Sequence, residues 1–244
     1  MLRILAKNIK QETASPIAKQ YLYTKHWSPS MTPQASSALS EIANGLRSSM
    51  ESTHRTREQA LHISREVIQN SSRAIRELHR KEFNAADAHI TDANMLISKL
   101  RDALQKHPEL SYAGYVHDCQ KEYVEAECMR AIIHEHALPS PKSLGVEPPA
   151  WLHGIAEAAS ESRRHLLDLL REGDLERGER VLHTMDTIFD TVLSFDFPDP
   201  VTCGLRRATD SLRAVLERTR ADLTLTQTQI RLERALLKKE GTAK

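Results

Sequence analysis

The chain has 244 residues, 40% of them hydrophobic, enough for one large domain or two small ones with a real core. Aromatic residues make up only 5% and there are eight glycines, a composition that argues against a β-rich fold. The net charge is +1, so no global field draws in a polyanion, and electrostatic binding must come from local segregation of charge.

Residues 1–33 stand apart as an extension expected to be disordered. Arg3, Lys7, Lys10, Lys19 and Lys25 face a single acid, Glu12. An organelle-targeting segment has this character, although only one of the five cations is arginine. Met31 would also serve as a start for the domain itself. Pro33 precedes the first helical pattern, with Leu39, Ile42, Leu46 and Met50 followed by Leu61, Ile68, Ile75 and Leu78, which makes one very long helix or two. Further helices are predicted near 86–106, 112–137, 150–171 and 175–195, the last with Asp174 as its N-cap. A final helix runs from about Pro200 to 238, proline suiting its first turn. Pro108, the Pro139–Pro149 linker, Gly173 and Pro198 mark the joints. The reading is all-α: one domain of six or seven helices over 34–238, with a disordered tail at 239–244.

No apolar run approaches the ~20 residues of a membrane span, so a soluble, cytoplasmic protein without a membrane partner is expected. Cys119, Cys128 and Cys203 match no zinc spacing and suit a reducing compartment.

Glu122 and Glu125 are three apart, so they share one face of their helix, and Asp118 extends the stripe by a turn. The apolar face of that helix carries Tyr112, Tyr115, Cys119, Tyr123, Ala126 and Ile133. On a helical wheel Glu122 falls inside this arc and Glu125 at its border. A carboxylate on a burying face needs a partner, which a metal ion or an arginine supplies equally well. Glu157 and Glu161, four apart, likewise share one face of the next helix. Glu157 points away from that helix's stripe of Leu152, Ile155, Ala159, Leu166 and Leu170, as a solvated acid would. Gly154 sits near the same side, where it would let another element come close. Together the two pairs would suit magnesium, which prefers carboxylate, water and phosphate oxygens; the spacing alone is equally consistent with structural ion pairs.

Arg73, Arg76 and Arg80, with Lys81 beside them, form a basic stripe able to track a phosphate backbone. The alternative is an ordinary solvated face with Arg73 paired to Glu77. The last helix is basic as well, with Arg206, Arg207, Arg213, Arg218 and Arg220. Twelve histidines include only one Glu-x-x-His spacing, Glu51 to His54, so a di-iron bundle is not supported.

The stretch QKEYVEAE at 120–127 resembles the Gln-Glu-Tyr-Val-Glu-Ala signature of the translin and Trax family. LHGIAEAASESRR at 152–164 is similar to that family's following helix, and FPDPVTCGLRRATDSLRAVLERTRADL at 197–223 to the closing helix of its prokaryotic members. SSRAIRELHRKEF at 71–83 fits as well, so the resemblance runs over residues 35–235 with the blocks in order. It implies a translin-like helical bundle assembling into a barrel-like, octamer-like oligomer, either of one chain type or with a translin-type subunit. It implies binding of single-stranded RNA and single-stranded DNA. In Trax-like members it further implies endoribonuclease activity dependent on Mg2+; the alternative is a non-catalytic single-stranded nucleic-acid-binding oligomer. By the same resemblance the catalytic carboxylates fall on Glu122, Glu125 and Glu157, with Glu161 a further metal ligand; Asp118, on the same helix stripe, is expected as an accessory group. The family's third position is usually aspartate, and glutamate stands here.

Overall fold

The computed structural model describes residues 33–242; the extension expected before Pro33 lies outside the described residues. Among them are eight α-helices and one 3-10 turn and no strand, which is the all-α architecture read from the sequence. None of these helices is long and apolar enough to cross a membrane.

Helix α1 runs Pro33–His79, α2 Phe83–Leu104, α3 Gly114–Ile133, α4 Pro141–Leu144, α5 Pro148–Glu172, α6 Leu175–Leu193, α7 Asp199–Thr202 and α8 Leu205–Thr242, with the 3-10 turn at Pro108–Tyr112. The first pattern is thus a single helix of 47 residues. The chain divides into two compact units, Met1–Ser52 and Thr53–Lys244. In the described part of the first unit Leu39, Ile42, Leu46 and Met50 are all exposed.

In the second unit α5 is the central helix, packed against α3, α6 and α8, while α2 covers α3. Its central place follows from its sequence. Leu152, Ile155, Ala159 and Leu166 line one buried face. Ala150, Gly154, Ala158 and Ser162, four residues apart, line another and are buried too. On α1 the buried residues are Ala60, Ile63, Ser64, Val67, Ser71, Ala74 and Leu78. The bulkier Leu61, Ile68 and Ile75 of the predicted stripe sit at its half-buried edge.

The joints obey local chemistry. Gly173 ends α5 at φ +81°, a left-handed conformation that suits glycine. The Asp174 side chain then accepts a hydrogen bond from the Arg177 N–H at 3.1 Å, the N-cap expected for α6. Four predicted boundaries are corrected. Tyr112, placed on the apolar face of the third helix, is 84% exposed, because the chain is extended at Ala113 and α3 begins only at Gly114. The same helix stops at Ile133 rather than 137, since Glu135 turns left-handed at φ +56°. The closing helix is broken at Cys203 and Gly204, both left-handed, which separates the short α7 from α8. At its other end α8 continues to Thr242, past the boundary at 238.

Glu127, which the helical pattern did not single out, is buried in α3. It accepts a hydrogen bond from the Tyr123 hydroxyl at 3.0 Å and pairs with Arg130, which also reaches Asp87 at 3.2 Å. Removing the phenol leaves a buried carboxylate short of one donor. Tyr123→Phe is therefore expected to lower unfolding free energy by about 1–2 kcal/mol in urea titration; an unchanged midpoint would mean that the hydroxyl contributes nothing.

Candidate metal centre

The candidate site is built on the α3–α5 contact. Gly154 makes that contact close: a Cβ there would stand 2.5 Å from Val124 Cβ and 2.7 Å from the Lys121 carbonyl oxygen. At this separation side chains one turn away on the two helices converge. Glu122 and Glu125 from α3 meet Glu157 from α5, with one carboxylate oxygen of each inside 4.8 Å of the others. All three are half-buried. The wheel that turned Glu157 away from the leucine stripe was right about its direction, but that direction faces α3 rather than open water.

Three carboxylates so close repel one another, and the structure counters that repulsion in three ways. Lys121 places its ammonium 2.8 and 2.9 Å from the two Glu157 oxygens and 3.4 Å from Glu122 Oε1. Glu161 is held outside the cluster by the buried His79 at the end of α1, with Nε2 2.6 Å from Oε1, and that hydrogen bond lowers its pKa. Glu125 keeps its proton instead: burial first, then the charges of Glu122, Glu157 and Glu161, push its pKa up to about 8, against a smaller opposing effect of Lys121. Of the four residues predicted to hold metal, three converge and Glu161 is engaged by histidine. Asp118 is exposed and does not join them.

One turn before Lys121 and Glu157, their helices carry His117 and His153, whose rings meet edge to face with centroids 5.1 Å apart. His153 is buried and donates from Nε2 to the Thr202 carbonyl at 2.9 Å, tying α5 to the end of α7. Burial, then the neighbouring His153, lowers the pKa of His117. Beyond Glu157 a cavity of about 670 Å3 opens towards the start of α8, lined by Ser160, Cys203, Arg207 and Ser211 among others. Cys203 is exposed and unpaired there.

The basic positions divide. Arg73 and Arg76 are exposed and form no ion pair among the described residues. Arg80 pairs with Glu77, the acid expected to hold Arg73, and Lys81 pairs with Glu172 of α5. On α8, Arg206 and Arg220 reach Asp196 and Asp186, and Arg213 lies over the Phe189 ring.

Fold and site together define an all-helical bundle with three carboxylates converging from its two central helices. No family model matches the chain. An uncharacterized protein of Methanocaldococcus jannaschii is 29% identical over 170 residues, 68% of this chain and 74% of that protein. The solved structures include AfC3PO, 31% identical with a TM-score of 0.71, spanning 77% of this chain and 98% of that one. A complex of AfC3PO with duplex RNA aligns at 30% identity and the same TM-score, over 77% of this chain and 97% of that one. Apo-NeC3PO, at 20% identity and a TM-score of 0.67, shares the fold over 75% of this chain and 96% of its own. The chain belongs to the translin/Trax-type C3PO family.

Two outcomes follow from the helix contact and from the Glu125 proton. Gly154→Ala should cost about 1–3 kcal/mol by overpacking, despite alanine's better helix propensity, and calorimetric melting will register it. No loss of stability would mean that the helices part freely. For Glu125 the folded pKa lies above the unfolded one, near 4.5. The favourable contribution is therefore complete below about pH 4.5 and is lost as pH rises towards about 8. With chelator present, Glu125→Gln should gain melting temperature relative to the unmodified chain over that interval. A constant difference from pH 4.5 to 9 would refute the raised pKa.

Proposed function

We propose that the protein binds RNA and cuts it with Mg2+ held by Glu122, Glu125 and Glu157. The observation that carries this reading is the convergence of those three carboxylates from two helices. The donor set is all oxygen, as magnesium requires, and the cluster is partly buried yet has Glu157 on the lining of a cavity of about 670 Å3. When bound there, the ion supplies charge for a phosphate oxygen and a water acidified for attack on phosphorus. The chain's own part is positioning. Glu122 and Glu125 are fixed by α3 and Glu157 by α5, His79 restrains Glu161, and Glu125 would have to give up its proton to solvent to serve as a ligand. Arg207 across the cavity and the unpaired Arg73 and Arg76 attract the phosphate backbone. Single-stranded RNA is the preferred ligand in this reading and single-stranded DNA a further one, although the AfC3PO complex is with duplex RNA. Association of copies, eight in the fullest form, or with a translin-type subunit, covers the exposed apolar side chains of α1 and those of α8 at Leu225, Leu232, Leu236 and Leu237. The cytoplasm is the proposed compartment.

A second reading, binding without cleavage, is favoured by one observation: both oxygens of Glu157 are already taken by Lys121.

Glu122→Gln, Glu125→Gln and Glu157→Gln should each lower Mg2+-dependent cleavage of a labelled RNA by about a hundredfold or more, with binding of the same RNA within twofold. Cleavage that persists in excess chelator would end the metal reading, and absence of cleavage at every Mg2+ concentration would favour the second. Replacing Arg73 and Arg76 together with alanine should weaken single-stranded RNA binding and flatten its dependence on salt by about two phosphate contacts. An unaltered salt slope would move the binding face elsewhere. Comparison with a duplex of the same sequence tests the strand preference, and native mass tests the assembly.

A further inference from the structure

We infer that Lys121 is a built-in counter-ion of the carboxylate cluster that competes with divalent metal for Glu157 and Glu122, and so sets the ion concentration at which the site loads. This rests on the metal reading of the site and adds a device to it.

The geometry is specific. The ammonium has three protons to donate. Two Glu157 oxygens stand 2.8 and 2.9 Å from Nζ, and Glu122 Oε1 stands at 3.4 Å. The side chain is only 20% exposed, so water screens these contacts less than it would a surface pair. The root of the side chain is fixed as well, because the Lys121 carbonyl lies against Gly154 in the closest part of the helix contact. The cation therefore belongs to the cluster by construction.

A magnesium ion on Glu122, Glu125 and Glu157 needs some of the oxygens that Lys121 now holds. It also takes its ligands at about 2.0–2.1 Å, which brings its two positive charges close to the ammonium. The two cations exclude each other at Glu157. Lysine can yield because its charge rides on a flexible four-carbon stem. The exchange costs the Lys121–Glu157 pair, so the chain binds divalent ions more weakly than three bare carboxylates would. In return the cluster stays assembled at low ion concentration. The site then loads over a higher range of Mg2+ than its ligand count alone suggests.

The test uses the full chain at one fixed pH, titrated with Mg2+ and separately with Mn2+ by isothermal calorimetry. Lys121→Gln should bind either ion about tenfold more tightly than the unmodified chain, a change of about 1.4 kcal/mol. Lys121→Arg, which keeps the charge, should stay close to the unmodified value. Equal or weaker affinity in Lys121→Gln while the unmodified chain binds would overturn the competition and leave the metal reading standing. If no form binds either ion, both fall. Lys121→Met gives a second neutral form should the glutamine variant fold poorly. In chelator, a double-mutant cycle on melting temperature pairs Lys121→Gln with Glu157→Gln. The two losses should be non-additive, and strict additivity would overturn the counter-ion role whatever the calorimetry gives.

Discussion

The site depends on how closely α3 and α5 approach at Gly154. A helix pair at ordinary separation would leave Glu157 and the Glu122–Glu125 pair apart, each hydrated separately. The stripe Ala150, Gly154, Ala158 and Ser162 keeps α5 slim along the whole contact, and Ser162 reaches the Met129 sulfur at 3.3 Å on the far side. The carboxylates are thus held by backbone packing rather than by a loop, and their spacing is as rigid as the core beneath them. Closeness also lets Lys121 and Glu157, on different helices, share one ion pair.

Holding three acids together is unfavourable, and the neighbourhood is organised around that cost. A proton stays on Glu125, an ammonium stands on Glu157, and an imidazole takes up Glu161 before it can add a fourth charge. Each compensation comes from a different place: the acid itself, the helix it sits on, and the end of α1. Substitution in any one shifts the load to the other two, so these residues should behave as a unit in energetic measurements.

Much of this was legible in the sequence. Five of the long helices announced their existence through apolar spacing and through Pro, Gly and Asp near their ends, although the ends of α3 and α8 fell elsewhere, and α1 was open only between one helix and two. The Glu122–Glu125 pair could be placed on one face because three residues is nearly a helical turn. What spacing cannot carry is the relation between helices. Nothing local says that the polar side of α5 faces α3, since that follows from small residues whose effect is to occupy little space. Gly154 hinted at it, and a count of small residues at intervals of four would have strengthened the hint. Lys121 was not singled out, and His79 was one histidine among twelve. Their roles arise from atoms 36 and 82 residues away. Tyr112 was misplaced because aromatic residues extend an apolar pattern past the point where the backbone has already left the helix.

The three cysteines differ enough to be told apart chemically. Burial pushes the thiol of Cys119 up to about 11 and that of Cys128 up to about 12, so neither offers a thiolate near neutral pH, and both are shielded from reagents. Cys203 alone stands in solvent, on the left-handed turn between α7 and α8, at the rim of the cavity beside Glu157. A maleimide or nitroxide would therefore mark one position without mutagenesis, at the rim of that cavity. The native chain already carries the attachment point for a spectroscopic reporter of whatever enters there.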